Sequence, residues 1–212
     1  HADRLEGTPR TRLAALASRH LAGDAGVDSA VNDAESGGDD HALAAALERV
    51  LREVQRRRDA HDVEFAAALA REGGGEGGGV LDGVVLLERA LPDVVVPLAH
   101  RFPTLLLVLD GLSAGVATEI LTHATSALEF GMLECLLPGA SARTPALAVL
   151  PTVTEVSRAS LLSGRLTTGQ QDAERKAFAE VTRTFGFGEA PLFHKKGLDT
   201  GRQGFALADD VR

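Results

Sequence analysis

Between His41 and Glu72 the apolar residues Leu43, Leu47, Val50, Leu51 and Val54 recur at helical spacing, and Glu48, Arg49, Arg52, Glu53 and Arg56 take the opposite side. This pattern predicts one long amphipathic helix, with Asp39 and Asp40 placed to cap its start and to meet the positive end of its dipole. Upstream the periodicity weakens. Thr11 to Leu21 can form a short helix, whereas Gly23 to Asp40 is polar and rich in Gly and Asp and reads as a loop. Gly73-Gly74-Gly75-Glu76-Gly77-Gly78-Gly79 follows the long helix. So many glycines are too expensive in backbone entropy for the interior of an element, so this run is a flexible linker. It divides the chain into a helical N-terminal accessory region, 1–79, and a second region, 80–212.

The second region changes rhythm. Val80 to Leu98 is mostly helix by pattern, broken near Pro92 and stopped by Pro103. Leu105-Leu106-Leu107-Val108-Leu109 is a short all-apolar run ending in Asp110-Gly111, the form of a strand buried on both faces. Ala114 to Leu128 is a helix with Ser113 as its cap. Ala146 to Leu150 is a second short apolar strand, and Thr154 to Leu162 a further helix closed by Gly164. Strand, helix, strand, helix predicts an α/β fold, a parallel sheet flanked by helices on both faces. The sequence holds no internal repeat.

Composition narrows the classes. Hydrophobic residues make up 44% of the 212, enough for a core, but with no Trp or Tyr the packing falls to Leu, Val and Ala. The net charge of −8 gives no direct signal for nucleic-acid binding, which rests on a basic face. The local basic runs, Arg56-Arg57-Arg58 and Lys195-Lys196, read as solvated surface. The lone Cys135 cannot form an internal disulfide, which suits a reducing cytoplasm. It sits in an apolar run, Met132 to Leu137, and is expected to be a buried, inert thiol. No apolar run approaches the roughly 20 residues needed to cross a bilayer, and the start, His1-Ala2-Asp3-Arg4, lacks the basic and apolar parts of a signal peptide.

Ligands of open parallel sheets bind at the carboxyl ends of strands. Asp110 lies there after the first strand, and Pro151-Thr152-Val153-Thr154-Glu155-Val156-Ser157-Arg158 lies there after the second. Asp110 is either a turn residue paired with Gly111 or a hard oxygen ligand for a divalent cation. Thr154 is either a helix cap or a nucleophile at a helix start, where backbone N–H groups can hold phosphate oxygens. Threonine needs a metal to lower its hydroxyl pKa, so the two functional readings support each other. Arg158, four residues after Thr154, lies one turn along the same helix face and is either a solvent-exposed arginine or a phosphate binder. His194 has no ligand partners at metal spacing and reads as a loop histidine beside Lys195 and Lys196.

Two segments carry a resemblance. Leu107-Val108-Leu109-Asp110-Gly111-Leu112-Ser113, followed by Leu150-Pro151-Thr152-Val153-Thr154-Glu155-Val156-Ser157-Arg158-Ala159-Ser160-Leu161-Leu162-Ser163-Gly164, resembles the alkaline phosphatase superfamily. The Val-Ser-Arg-Ala-Ser ending and Leu192-Phe193-His194-Lys195-Lys196 resemble PglZ domains of BREX phage-defence systems, in their type 2 form. The resemblance covers about Arg101 to Arg212. It implies an alkaline phosphatase-like core, hydrolysis of a phosphoester, Thr154 rather than Thr152 as nucleophile, Asp110 as a metal ligand and Arg158 as a substrate-binding residue. It also implies zinc, with manganese as the other candidate, and partners among other BREX proteins. Superfamily members draw further Asp and His ligands, for two ions in all, from downstream of the nucleophile. No histidine follows His194 and only Asp209 and Asp210 form a late carboxylate pair, so residues 80–212 are expected to be the first half of such a core and inactive alone. The competing expectation is a phosphatase-like scaffold that docks defence partners without catalysis.

Overall fold

The computed structural model describes residues 11–35, 41–72, 83–127 and 133–198. Expectations for Asp39, Asp40 and the glycine run lie outside these residues. The described chain is mostly helical, with one small two-stranded parallel sheet that pairs β1 (Val85–Leu86) with β2 (Ala146–Leu147). Val85 N donates to Pro145 O at 2.9 Å beside the pair. Two compact units emerge, one within residues 1–85 and 107–146, the other within 86–106 and 147–212.

The first unit is built from α1 (Arg12–Arg19), α2 (Ala25–Glu35), α3 (His41–Glu72) and α6 (Ala114–Ala127). At the start of α1, Thr11 Oγ1 accepts from Ala14 N at 3.1 Å, and Glu72 at the end of α3 accepts from Leu13 N at 3.1 Å. Leu13, Ala14, Leu16 and Ala17 are buried there, together with Ala68 of α3. The chain then continues through a π-helical turn, His20–Asp24, straight into α2. The loop expected over 23–40 is therefore helix from Ala25 to Glu35. Gly23 and Gly26 disfavour that helix by about 1 kcal/mol each relative to alanine, but α3 opposes them. Arg58, with only 14% of its side chain exposed, donates from Nε to Asp28 at 2.7 Å and from Nη1 to Asp24 at 3.3 Å. Of the first basic run, then, Arg56 and Arg57 are surface residues paired with Glu53, while Arg58 is an internal brace.

The helix expected from His41 to Glu72 has those bounds. Its apolar stripe is covered only in part: Leu47, Leu51 and Val54 are half-buried, and Leu43 and Val50 are exposed. The helix α6 also stands where expected, with Ser113 Oγ accepting from Val116 N at 3.2 Å. It packs on α2 through Gly115, where a methyl group would come within 2.8 Å of the Ala25 carbonyl oxygen.

The second unit holds α4 (Leu87–Ala90), a π-helical turn at Leu91–Val95, α5 (Val96–Ala99), α7 (Thr154–Ser163), α8 (Gln171–Thr184) and α9 (Lys195–Leu198). The break expected near Pro92 is that π turn, since proline supplies no N–H to the ordinary ladder. Helix α7 packs on α4 and α8, burying Leu91, Val96, Ala159, Leu161 and Leu162.

Two expectations of the α/β reading fail in detail. Leu105 to Leu109 has no regular structure, and Leu105, Leu107 and Leu109 are exposed. A strand buried on both faces needs ladder partners and covering helices, and the run has neither among the described residues. The second strand, expected over 146–150, is two residues long. Cys135 is exposed rather than buried: residues 133–137 form no helix or strand, and Leu133 and Leu136 beside it are exposed too.

Candidate active site

The ten-residue helix α7 starts at Thr154 itself. Val153, extended at φ −86° and ψ 147°, is the cap, so the capping reading of Thr154 does not apply. Val156 N and Ser157 N both reach Val153 O, at 3.0 and 2.9 Å, closing the first turn tightly. Gly164 ends the helix in the left-handed conformation at φ 69°, as the sequence predicts. Thr152 and Thr154 are both exposed.

Below this first turn α7 is anchored by hydroxyls. Ser160 is fully buried, and its Oγ donates to Thr167 O and accepts from Thr167 N, both at 3.0 Å. Gly169 N donates to Glu155 O at 3.1 Å, so the connection to α8 folds back along the start of α7. Gly169 is tightly seated there, with space for a methyl group blocked by Ala173 at 2.9 Å.

Arg158 is half-buried and engaged. Its Nε donates to both oxygens of Glu174 at 2.9 Å. Glu174 lies in the first turn of α8 and is 1% exposed. His194 Nε2 sits 2.7 Å from the same carboxylate. A carboxylate only accepts, so Nε2 carries the hydrogen. The histidine is 7% exposed, and its Nδ1 is buried with no hydrogen-bond partner among the described residues. Arg175 helps to hold the segment that leads to His194, donating to Leu192 O at 3.1 Å.

His194 does lie in the loop before α9, as expected, but it is buried and has a carboxylate partner. Sequence reasoning missed Glu174 altogether. Its only signal was an acid in the first turn of a helix, which is common and says nothing of burial. A buried carboxylate requires compensation of several kcal/mol, and here one guanidinium and one imidazole supply it. Arg158 is accordingly neither a freely solvated arginine nor a bare cation.

Asp110 belongs to the other unit. It is exposed in a turn with Gly111, whose φ is 72°. Among the described residues no three His, Cys, Asp or Glu side chains come together as a metal-binding group. The described donor set does not by itself complete the two-ion cage that the resemblance implies. Lys195 is exposed, and no described helix is long and apolar enough to cross a membrane. No family model, no curated protein and no solved structure matches this chain.

Proposed function

We propose that the chain is part of a phosphoester hydrolase of the PglZ type, in which Thr154 attacks phosphorus and Arg158 binds the phosphoryl oxygens. One observation carries this reading: Thr154 opens α7 in an exposed position, and Arg158, one turn further on, is held through Nε by a buried carboxylate. The positive end of a helix dipole favours an anion at its first turn. Guanidinium presents donors in a planar fork that suits phosphate. In the reaction the Thr154 Oγ1–phosphorus bond forms while the bond from phosphorus to the leaving oxygen breaks, the hydroxyl proton being lost to solvent and the leaving oxygen taking one up to depart as the alcohol; water then releases phosphate from the phosphothreonine and restores the hydroxyl. Asp110 is the residue we assign to a divalent ion, zinc or manganese. A role beside other BREX proteins in phage defence belongs to the same reading.

A second reading is favoured by the partly open stripe of α3. Leu43, Val50 and Val63 are exposed, and Val31, Ala34, Leu47 and Leu51 line an open cleft of about 430 Å³ within the first unit. On that reading the chain is a scaffold that docks defence partners and Thr154 is idle.

Substitution separates the two. In the protein that carries these residues, Thr154→Ala abolishes hydrolysis of aryl phosphate esters. Folding stability changes by no more than about 1 kcal/mol, since alanine suits a helix at least as well as threonine. Thr152→Ala is the matched control. Equal turnover in wild type and Thr154→Ala removes the nucleophile and leaves the scaffold.

A further inference from the structure

We infer that Glu174 and His194 are positioning residues for Arg158, setting its guanidinium to receive an oxygen of the bound phosphoester. The inference rests on the reading of Thr154 and Arg158 as the phosphate-handling pair. Arginine has five N–H donors in one plane. Glu174 takes the Nε–H with both of its oxygens, and this fixes the plane relative to the backbone of α8. His194 Nε2 meets Oε2 of the same carboxylate at 2.7 Å. A carboxylate held from two directions has little freedom to rotate, and neither does the guanidinium it grips. The terminal amino groups of Arg158 make no hydrogen bond among the described residues, and 28% of the side chain remains accessible. They are the donors left for an anion.

The arrangement is more than is needed for packing. Apolar side chains in place of Glu174 and both of its partners would fill the same space without burying a charge, and replacing a whole buried ion pair in this way is often neutral or stabilising. The buried Glu174 is instead paired with an arginine that keeps 28% of its side chain accessible. His194 reinforces this: it is buried with Nε2 on Glu174, although its Nδ1 has no hydrogen-bond partner among the described residues. A guanidinium fixed beforehand loses less entropy on binding phosphate than a free surface arginine does.

The test uses the full chain, ¹⁵N-labelled, with inorganic phosphate as the probe. The Nε–Hε resonance of Arg158, identified by its loss in Arg158→Lys, is followed for solvent exchange and for its shift with phosphate. In wild type it is protected and moves on titration. In Glu174→Gln the protection is lost and the apparent phosphate Kd rises by roughly tenfold or more, as when a group that orients a ligand is removed. His194→Phe, which leaves carboxylate and guanidinium in place, shifts both readouts the same way by less, and it serves if Glu174→Gln does not fold. All affinities are read well below the melting temperature, where a purely structural role changes the melt and not the Kd. Unchanged phosphate affinity in a folded Glu174→Gln or His194→Phe overturns the inference while the proposed function stands. No response of the wild-type Arg158 signal to phosphate overturns both, and protection of the Nε–Hε in that case places the failure in the phosphate reading rather than in the contact with Glu174.

Discussion

Replacing Arg158 by methionine keeps the stem of the side chain and removes the guanidinium, leaving Glu174 inside the second unit with His194 as its one side-chain partner among the described residues. Breaking one side of a fully buried ion pair destabilises by about 3–5 kcal/mol, because the remaining charge has lost its compensation. Here the figure must be reduced. Arg158 is 28% exposed, so solvent already screens part of its charge, and the bond from His194 at 2.7 Å remains. A loss of about 2–3 kcal/mol is expected, which in a unit of this size lowers the melting temperature by roughly 10–20 °C. The companion variant Arg158→Met/Glu174→Gln buries no charge, and its glutamine can still accept from His194. It should recover about half of the loss, so the double variant is less damaged than the sum of its singles. Urea unfolding followed by circular dichroism gives all four corners of the cycle. If Arg158→Met loses less than about 0.5 kcal/mol, as for a surface ion pair, or if the two substitutions simply add, the carboxylate does not depend on Arg158 and the argument for a built site collapses.

Asp110→Ala in the protein that carries these residues should lower bound zinc or manganese and phosphoesterase turnover together, and elemental analysis showing full metal content would return Asp110 to an ordinary turn residue. Glu53 lies between Arg56 and Arg57, whose hydrogen bonds hold its carboxyl at about 2 rather than 4.5. Because the folded value is the depressed one, its contribution to α3 is present above 4.5 and is lost as pH falls towards 2. Helical chemical shifts around residue 53 should therefore fade over that interval in wild type and be insensitive to it in Glu53→Gln, with the difference shrinking in high salt; superimposable acid profiles would contradict this. Gly115→Ala puts a methyl group within 2.8 Å of the Ala25 carbonyl oxygen and should destabilise the first unit by about 1–3 kcal/mol, even though alanine is the better helix former. A variant more stable than wild type would show that α6 does not sit against α2 in this way.

The fold was readable where one element's pattern was sufficient by itself. The helix α3 carries its apolar and charged faces over 32 residues, and α6 and α7 carry a serine cap and a left-handed glycine stop. It was not readable where partners decide. Two glycines in the stretch from Gly23 to Glu35 speak against a helix, and the opposing term is Arg58, thirty residues later, reaching Asp28. The reverse happened at Leu105–Leu109. A run of leucine and valine is compatible with a buried strand, but a strand exists only by hydrogen bonding to another, and among the described residues the pairing extends no further than the two residues each of β1 and β2.

The candidate site follows the same division. Spacing alone placed Arg158 one turn after Thr154, because both lie on one helix whose period is fixed. Spacing could not find Glu174 or assign His194, because their meeting is made by packing: the connection after α7 folds back through Gly169 to Glu155, α8 then presents Glu174 to Arg158, and the chain beyond α8 returns to put an imidazole on the same carboxylate. Each of these residues has an ordinary reading in isolation: an acid in a first turn, a histidine before two lysines, an arginine on a helix. Only burial distinguishes them. A carboxylate in water needs no partner, whereas one that is 1% exposed must have its charge met, so the side chains that meet it are constrained to it. That constraint makes Arg158 a stronger candidate than its spacing did. It also separates the two proposed functions physically: a scaffold gains nothing from a guanidinium held by a buried carboxylate and still 28% accessible, and a phosphate-binding site does.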